Sequence, residues 1–393
     1  MTIIIYVFII WIVAYAISEI LHLEKRTNHR VKIGPGYLIV RSEKLNLLFT
    51  DFVKRHRKLV NYICMLGIFV GAGLLIAIIL ILILNLIMYF TVKPGGPPPA
   101  QLLIPGVTIG VDLFLKMIPG IVLIVLSHEL SHKIALHLEN IDVKSVGFAL
   151  VFLIPAAFVE PNEKEFNISK PISRLKVLAA GSFANIILAL IVLPIALNPT
   201  IFYLIISPFY NAPNGVIITE ILPNTPLANQ SDIKVGDVII EINGITIKNV
   251  GDLRKVHLIP GSIATVKYLD AETGIIHMKE IIAGEDPNNP NRGILGYIPE
   301  NYYPPKIPVL SPRLPNLIYE VIFWIFFLSL NISMFNMLPI YPLDGYGFLQ
   351  AVLDRFNVKT STSKYIMYIA TAISILLITM NLTANLIWRL IAG

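Results

Sequence analysis

Apolar residues in this chain gather into long unbroken runs, and a run of roughly 20 such residues is enough to cross about 30 Å of hydrocarbon. Six stretches meet that requirement: Thr2–Leu21, Val60–Phe90, Leu102–Leu138, Leu175–Leu197, Leu317–Leu338 and Ile366–Leu390. The first lacks a basic leader and reads as an uncleaved anchor. The second closes on the breaker Pro94-Gly95-Gly96-Pro97-Pro98-Pro99, and the third is interrupted by Asp112, Lys116 and Pro119. Between the fourth and fifth runs the pattern changes. Short β-type runs (Val216–Ile218, Val238–Ile242, Ala264–Tyr268, Ile275–Lys279) alternate with turn signals such as Asn243-Gly244 and Pro260-Gly261. Eight prolines between Glu285 and Asn316 predict an extended linker, with Gly293–Ile298 as a last strand. The predicted fold class is a polytopic α-helical membrane protein of about six transmembrane helices with an inserted small α+β domain.

Composition supports the membrane class. Of 393 residues 55% are hydrophobic and 14% charged, against about 45–50% and about 25% in soluble domains. One cysteine, Cys64, lies in an apolar run and excludes a disulfide scaffold. The net charge of +6 is not spread over a face suited to nucleic acid. It concentrates in residues 22–58, with ten Lys/Arg and three acids, the signature of a cytoplasmic loop. Counting spans from that loop puts residues 198–316 outside the cytoplasm. The expected division is 1–100 for a first transmembrane pair with its basic loop, 101–197 for core helices, 198–213 for a connector, 214–298 for the inserted domain, 299–316 for a Pro-rich linker and 317–393 for the last helices.

The third run ends in Ser127-His128-Glu129-Leu130-Ser131-His132. Residues four apart share a helix face, so His128 and His132 can aim ring nitrogens at one ion, with Glu129 beside its water. Two histidines and an acid in a membrane helix are costly unless used. A catalytic zinc takes a third protein ligand. Glu139, Asp142, Glu160 and Glu163 are candidates by position, and Asp344 is the better one. It follows an apolar run in Asn336-Met-Leu-Pro339-Ile-Tyr-Pro342-Leu-Asp344-Gly345, at the same membrane end as His128, where two prolines break the helix and Gly345 permits a sharp turn. Gly181, Ser182 and Ala184 allow close helix approach, and Asn185 must point into the bundle, as interhelical glue or as a substrate contact. His137 lies beyond the pair on the same helix, His22, His29 and His56 fall in the basic loop, and His257 and His277 fall in the inserted domain.

His128-Glu129-x-x-His132, Gly181-x-x-x-Asn185 and Asn336-x-x-Pro339-x-x-x-Leu343-Asp344-Gly345, in that order, resemble the site-2 protease family of intramembrane metalloproteases. The resemblance covers roughly residues 101–197 and 317–350. It implies one Zn2+ per chain held by His128, His132 and Asp344, Glu129 as catalytic base, and Asn185 as a residue holding the substrate strand. It also implies regulated intramembrane proteolysis of a transmembrane protein partner within the lipid bilayer of, for this compact chain, a prokaryotic plasma membrane. Ser182 stands where many members have proline. The inserted domain, through Gly215-Val-Ile-Ile, Pro223-Asn-Thr-Pro226 and Gly236-Asp237-Val-Ile-Ile, resembles a PDZ module, which implies either a peptide ligand or a steric filter. Val143–Val159, apolar with Gly147 and Pro155, is expected to offer a strand edge to an unwound substrate. Competing readings are a prenyl-protein or housekeeping membrane zincin, whose third ligand is a downstream Glu, and an inactive scaffold.

Overall fold

The computed structural model describes residues 2–27, 30–42, 49–92, 98–105, 107–287 and 289–392. His29, Lys93 and the first four residues of the predicted turn 94–99 lie outside the described residues. In chain order the helices are α1 (Thr2–Ile20), α2 (Leu23–Arg26), α3 (Thr50–Arg55), α4 (Arg57–Thr91), α5 (Val111–Leu138), α6 (Glu163–Ile168), α7 (Pro171–Leu197), α8 (Pro199–Ile206), α9 (Pro226–Gln230), α10 (Leu314–Asn336), α11 (Asp344–Arg355) and α12 (Thr360–Ala392). Strands β1 (Val31–Gly34), β2 (Tyr37–Ser42), β3 (Val143–Val151) and β4 (Ile154–Pro161) accompany the first seven helices. Among the described residues α4, α5, α7, α10 and α12 are long and apolar enough to cross a membrane. The first predicted span is the 19-residue helix α1. The chain divides into two compact units, residues 1–193 with 321–393, and residues 194–320.

The helical unit is built by stripes of small and apolar residues. On α4 the buried positions are Val60, Cys64, Gly67, Gly71, Leu74, Ile78, Leu82, Leu86 and Tyr89, a three-and-four spacing that marks one face. Leu66, Phe69, Leu80 and Leu84 on the other side are exposed, the surface of a helix in contact with lipid. Glycines set how near the partner helix comes. A Cβ on Gly67 would lie 3.1 Å from Phe183, and one on Gly71 would lie 3.2 Å from the Cβ of Ala179, so α4 rests closely on α7. A buried polar clamp ties three helices at one end: Lys176 Nζ donates to Glu139 Oε1 at 2.6 Å and to Asn61 Oδ1 at 2.7 Å. Helix α5 ends where Asn140 takes a left-handed conformation (φ 55°) and Ile141 N–H donates back to Leu136 C=O.

The basic segment departs from its sequence reading. Residues 22–58 are predicted as a plain cytoplasmic loop, yet β1 and β2 form a hairpin that extends β3 and β4 into a four-stranded antiparallel sheet of order β1-β2-β3-β4. The alternation in Val31–Ser42 is short and masked by its charges. Its strands are stabilised by pairing with Val146–Val151, more than a hundred residues away. Strand β4 ends the sheet, so one of its edges is unpaired in the ladder. The hairpin turn at Phe152 is held by α1, whose buried Trp11 donates its indole N–H to Phe152 C=O at 3.1 Å.

The second unit is a small α+β domain. Strands β5 (Val216–Ile221), β6 (Val238–Ile242), β8 (Ile263–Leu269), β9 (Ile276–Ile282) and β12 (Tyr297–Asn301) form a sheet of order β12-β5-β6-β8-β9, with the short β7 (Ile245–Thr246) on β6. Its core holds Val216, Ile218, Leu227, Ile239, Ile242 and Val266, the inward half of an alternating pattern. The predicted linker is partly strand: β10 (Gly284–Asp286) pairs with β11 (Asn289–Ile294), and β12 completes the sheet beside β5. Proline punctuation hid them, because Pro299 sits at a register shift of the β12–β5 pair, where a missing N–H is tolerated. A cavity of about 290 Å³ is lined by Leu253, Val256, Leu258 and the Arg292–Tyr297 segment.

Candidate metal centre

Helix α5 carries His128 and His132 on one face, one turn apart. Asp344 reaches them from a distant part of the chain. Helix α10 stops at Asn336, the chain turns through Met337–Leu343, and α11 begins at Asp344 itself. The turn is tight because Gly345 lies against the end of α10: a Cβ there would stand 2.1 Å from Met337 O and 2.6 Å from Leu338 O. Only glycine lets Asp344 fold back to this depth.

Three ligand atoms converge. His128 Nε2 and His132 Nε2 are 3.1 Å apart, and each lies 3.2 Å from Asp344 Oδ2. Donors held at about 2.0–2.1 Å around a tetrahedral zinc stand roughly 3.3–3.4 Å from one another. The observed triangle is within a few tenths of an ångström of that shape. The protonation logic agrees. His132 Nδ1 lies 2.8 Å from Val177 C=O, which can only accept, so Nδ1 carries the proton and Nε2 keeps its lone pair. Asp344 Oδ2 is fully buried and has no hydrogen-bond donor. The His132 lone pair and the Asp344 carboxylate oxygen aimed at one point, with the second ring nitrogen beside them, form a donor set that a cation would join favourably. The residues therefore fit a divalent metal, and this is the only such group of His, Cys, Asp and Glu among the described residues.

The other acids named from sequence lie elsewhere. Glu139 pairs with Lys176, Glu160 accepts from Ser145 Oγ at 2.9 Å, Asp142 is exposed and accepts no ring nitrogen, and Glu163 is exposed on α6. Glu129 stands beside the triad in a cavity of about 410 Å³ that also takes in Asn336, Phe158 and Val159. Its Oε2 accepts the Val159 N–H at 3.0 Å. That bond fixes the orientation of β4: the Val159 N–H points away from β3 toward the cavity, so the unpaired edge of the strand faces the metal-binding residues. Residues two positions away, such as Ala157, present their backbone to the same edge.

Asn185 is wholly buried, with Ser127 Oγ 3.0 Å from its Oδ1 and His128 Nδ1 3.3 Å from its Nδ2. Two residues acquire roles that spacing alone did not assign. A Cβ on Gly181 would lie 2.5 Å from His132 Nε2 and 2.6 Å from His128 Nε2, so this glycine admits both rings. Asn336 brings its amide to 3.5 Å from His128 Nε2. The signal for both was present, since each opens a recognised motif, but motif membership does not say what a residue touches.

Residues 116–380 match the model of Peptidase family M50, more than half of the chain, from within α5 to within α12 and including the triad. The chain belongs to peptidase family M50. This is the site-2 protease family, so the protein is a member of a family of membrane metalloproteases. It is similar to the uncharacterized protein MJ0971 of Methanocaldococcus jannaschii, 26% identical over 357 residues that cover 89% of this chain and 86% of that one. Two solved PDZ domains are similar to part of the chain. That of the SdrC-like protein of Listeria monocytogenes is 19% identical, covering 22% of this chain and 87% of its own, with a TM-score of 0.19. That of the Listeria innocua protein is 20% identical, covering 22% and 92%, also with a TM-score of 0.19.

Proposed function

We propose that this M50 member is a zinc-dependent intramembrane endopeptidase that cuts transmembrane segments of other membrane proteins, including membrane-tethered regulators. The observation that carries the reading is the convergence of His128, His132 and Asp344 with Glu129 at their side. When bound there, zinc supplies an acidified water and a Lewis acid for the scissile carbonyl. Glu129 would serve as the proton carrier, taking a proton from the attacking water and giving it to the leaving amine, a general base that becomes a general acid. Glycine at 181 leaves room for the two rings, and glycine at 345 permits the tight turn that brings Asp344 to them.

A transmembrane helix hides its carbonyls in internal hydrogen bonds, so the substrate must unwind before it is cut. The outward edge of β4 supports an account of where the unwound strand goes: it adds to the sheet by backbone pairing, with its peptide beside Glu129. Asn185 is kept in this reading as a hydrogen-bonding group near that peptide, as the family resemblance implies. Ala157→Pro removes one outward N–H from the edge. It is expected to lower kcat/KM at least tenfold with zinc content unchanged, measured on a single-span substrate. Unchanged kcat/KM would argue that the strand lies elsewhere.

The basic residues 22–58 support a cytoplasmic position for that segment and the opposite side for residues 198–316. The inserted domain is read as PDZ-like, and its cavity between the Arg292–Tyr297 segment and Leu253–Leu258 suits an extended peptide. The decisive test of the whole reading is metal analysis of the purified full chain. One zinc per chain is expected for the wild type and less than about a tenth for Asp344→Ala, since two imidazoles alone leave a zinc site incomplete. Chelator-stripped wild type should stop cleaving a panel of single-span substrates and recover on zinc addition. Full zinc in Asp344→Ala would return the third ligand to one of the glutamates and favour a different class of membrane zincin.

A further inference from the structure

We propose that Asn185 has a second duty, as a positioning residue that sets which nitrogen His128 presents to the metal; the inference rests on the zinc reading above. Val177, Gly181 and Asn185 are spaced four apart on α7 and so form one stripe along a single face. At one end the Val177 carbonyl accepts the Nδ1 proton of His132 at 2.8 Å. In the middle Gly181 makes room for both rings. At the other end Asn185 lies 3.3 Å from Nδ1 of His128. The stripe treats the two imidazoles alike if the Asn185 amide oxygen, rather than its nitrogen, faces His128.

With a metal on His128 Nε2, hydrogen-bond counting favours that half-turn of the amide. Ser127 has one hydroxyl proton but two acceptors in reach, Ile124 O at 2.9 Å and Asn185 Oδ1 at 3.0 Å. At the other side, a ring that offers its Nε2 lone pair to a metal keeps its proton on Nδ1, and that proton would meet the N–H of Asn185. Turning the amide by 180° about its last torsion resolves both conflicts at once. Ser127 then donates to Ile124 O and accepts from Asn185 Nδ2, while Asn185 Oδ1 accepts from His128 Nδ1. The His128 Nδ1 proton, the Ser127 hydroxyl and one N–H of Asn185 then each have an acceptor, as buried polar groups demand. The G-x-x-x-N spacing thereby acquires a physical cause: glycine seats the rings and asparagine, one turn on, locks the tautomer of the first ligand.

Zinc affinity tests this without reference to cleavage. Full-length wild type, Asn185→Asp, Asn185→Leu and His128→Ala are compared by chelator competition in detergent. Asn185→Leu removes the acceptor and is expected to weaken zinc binding about 10- to 100-fold, the usual cost of losing a group that orients a ligating histidine. Asn185→Asp keeps the acceptor but has no N–H, so its zinc affinity is expected within about threefold of wild type, or tighter. A substrate contact alone predicts a different result for the Leu variant: both variants then bind zinc normally and differ only in cleavage. Wild-type affinity in Asn185→Leu overturns the proposal, and so does an Asp variant that loses as much as Leu. Should the Leu variant not fold, Asn185→Ala, which also lacks the acceptor, takes its place with the same expected loss, because retained affinity in the Asp variant is expected under either role. Wild type without zinc, or His128→Ala with wild-type affinity, overturns the zinc reading together with this one and is recognised without any Asn185 variant.

Discussion

Gly181→Ala is expected to leave the protein with less than about a tenth of a zinc per chain and no measurable cleavage, because the added methyl lands on the ligand atoms themselves. The Cβ would sit 2.5 Å from His132 Nε2, 2.5 Å from His128 Cε1 and 2.6 Å from His128 Nε2. Contacts that short cannot persist, so a ring or a helix must move. The rings have little freedom: His132 is anchored through Val177, and α7 is fixed against α4 by Gly67 and Gly71. Either movement breaks the 3.1–3.2 Å triangle. A control separates this from a general intolerance of helix substitution. Gly73 on α4 has nothing within 4 Å of its would-be Cβ, so Gly73→Ala is expected to retain zinc and gain up to about 1 kcal/mol of helix stability. Zinc and activity retained in Gly181→Ala would mean that α7 stands further from the rings than this geometry has it.

The part of the fold legible in the sequence is the part written in local periodicity. Val60, Cys64, Gly67, Gly71 and Leu74 repeat at helical spacing within one element, and their burial follows directly. The H-E-x-x-H pair is legible for the same reason, since both ligands ride one helix. Asp344 was reachable by a weaker route, an acid after an apolar run with prolines and a glycine around it. That route suggested irregular backbone but not that Gly345 would press against Met337 O. What escaped reading depends on partners far along the chain. Strands β1 and β2 look like basic loop because half of their evidence, the pairing Val40↔Phe148 and Ile39↔Ala149, is supplied by residues more than a hundred positions on. The start of α5 also differs from its sequence reading. Apolar residues from Leu102 read as helix, but Pro105 forms a bridge with Ile109 and the helix begins at Val111. Hydropathy records that a segment is apolar, not whether its backbone is coiled.

The orientation of β4 was the least legible element, and it bears on the second large effect. Glu129→Gln is expected to lower cleavage by at least about 10²–10⁴-fold, the usual worth of a positioned general base, while zinc stays at one per chain. Glutamine suits the test because of the bond Glu129 makes outside its chemistry. Its side-chain oxygen can still accept the Val159 N–H, held at 3.0 Å in the parent, so the strand edge keeps its place. Glu129→Ala would release that N–H and confound loss of the base with a displaced β4. The two variants should therefore separate in substrate binding. Glu129→Gln is expected to bind an intact single-span substrate with parental affinity and hold it uncut, which pull-down from detergent measures. Glu129→Ala is expected to bind it more weakly as well. Cleavage at the parental rate by Glu129→Gln would remove the carboxylate from proton transfer and leave it only the task of anchoring the strand.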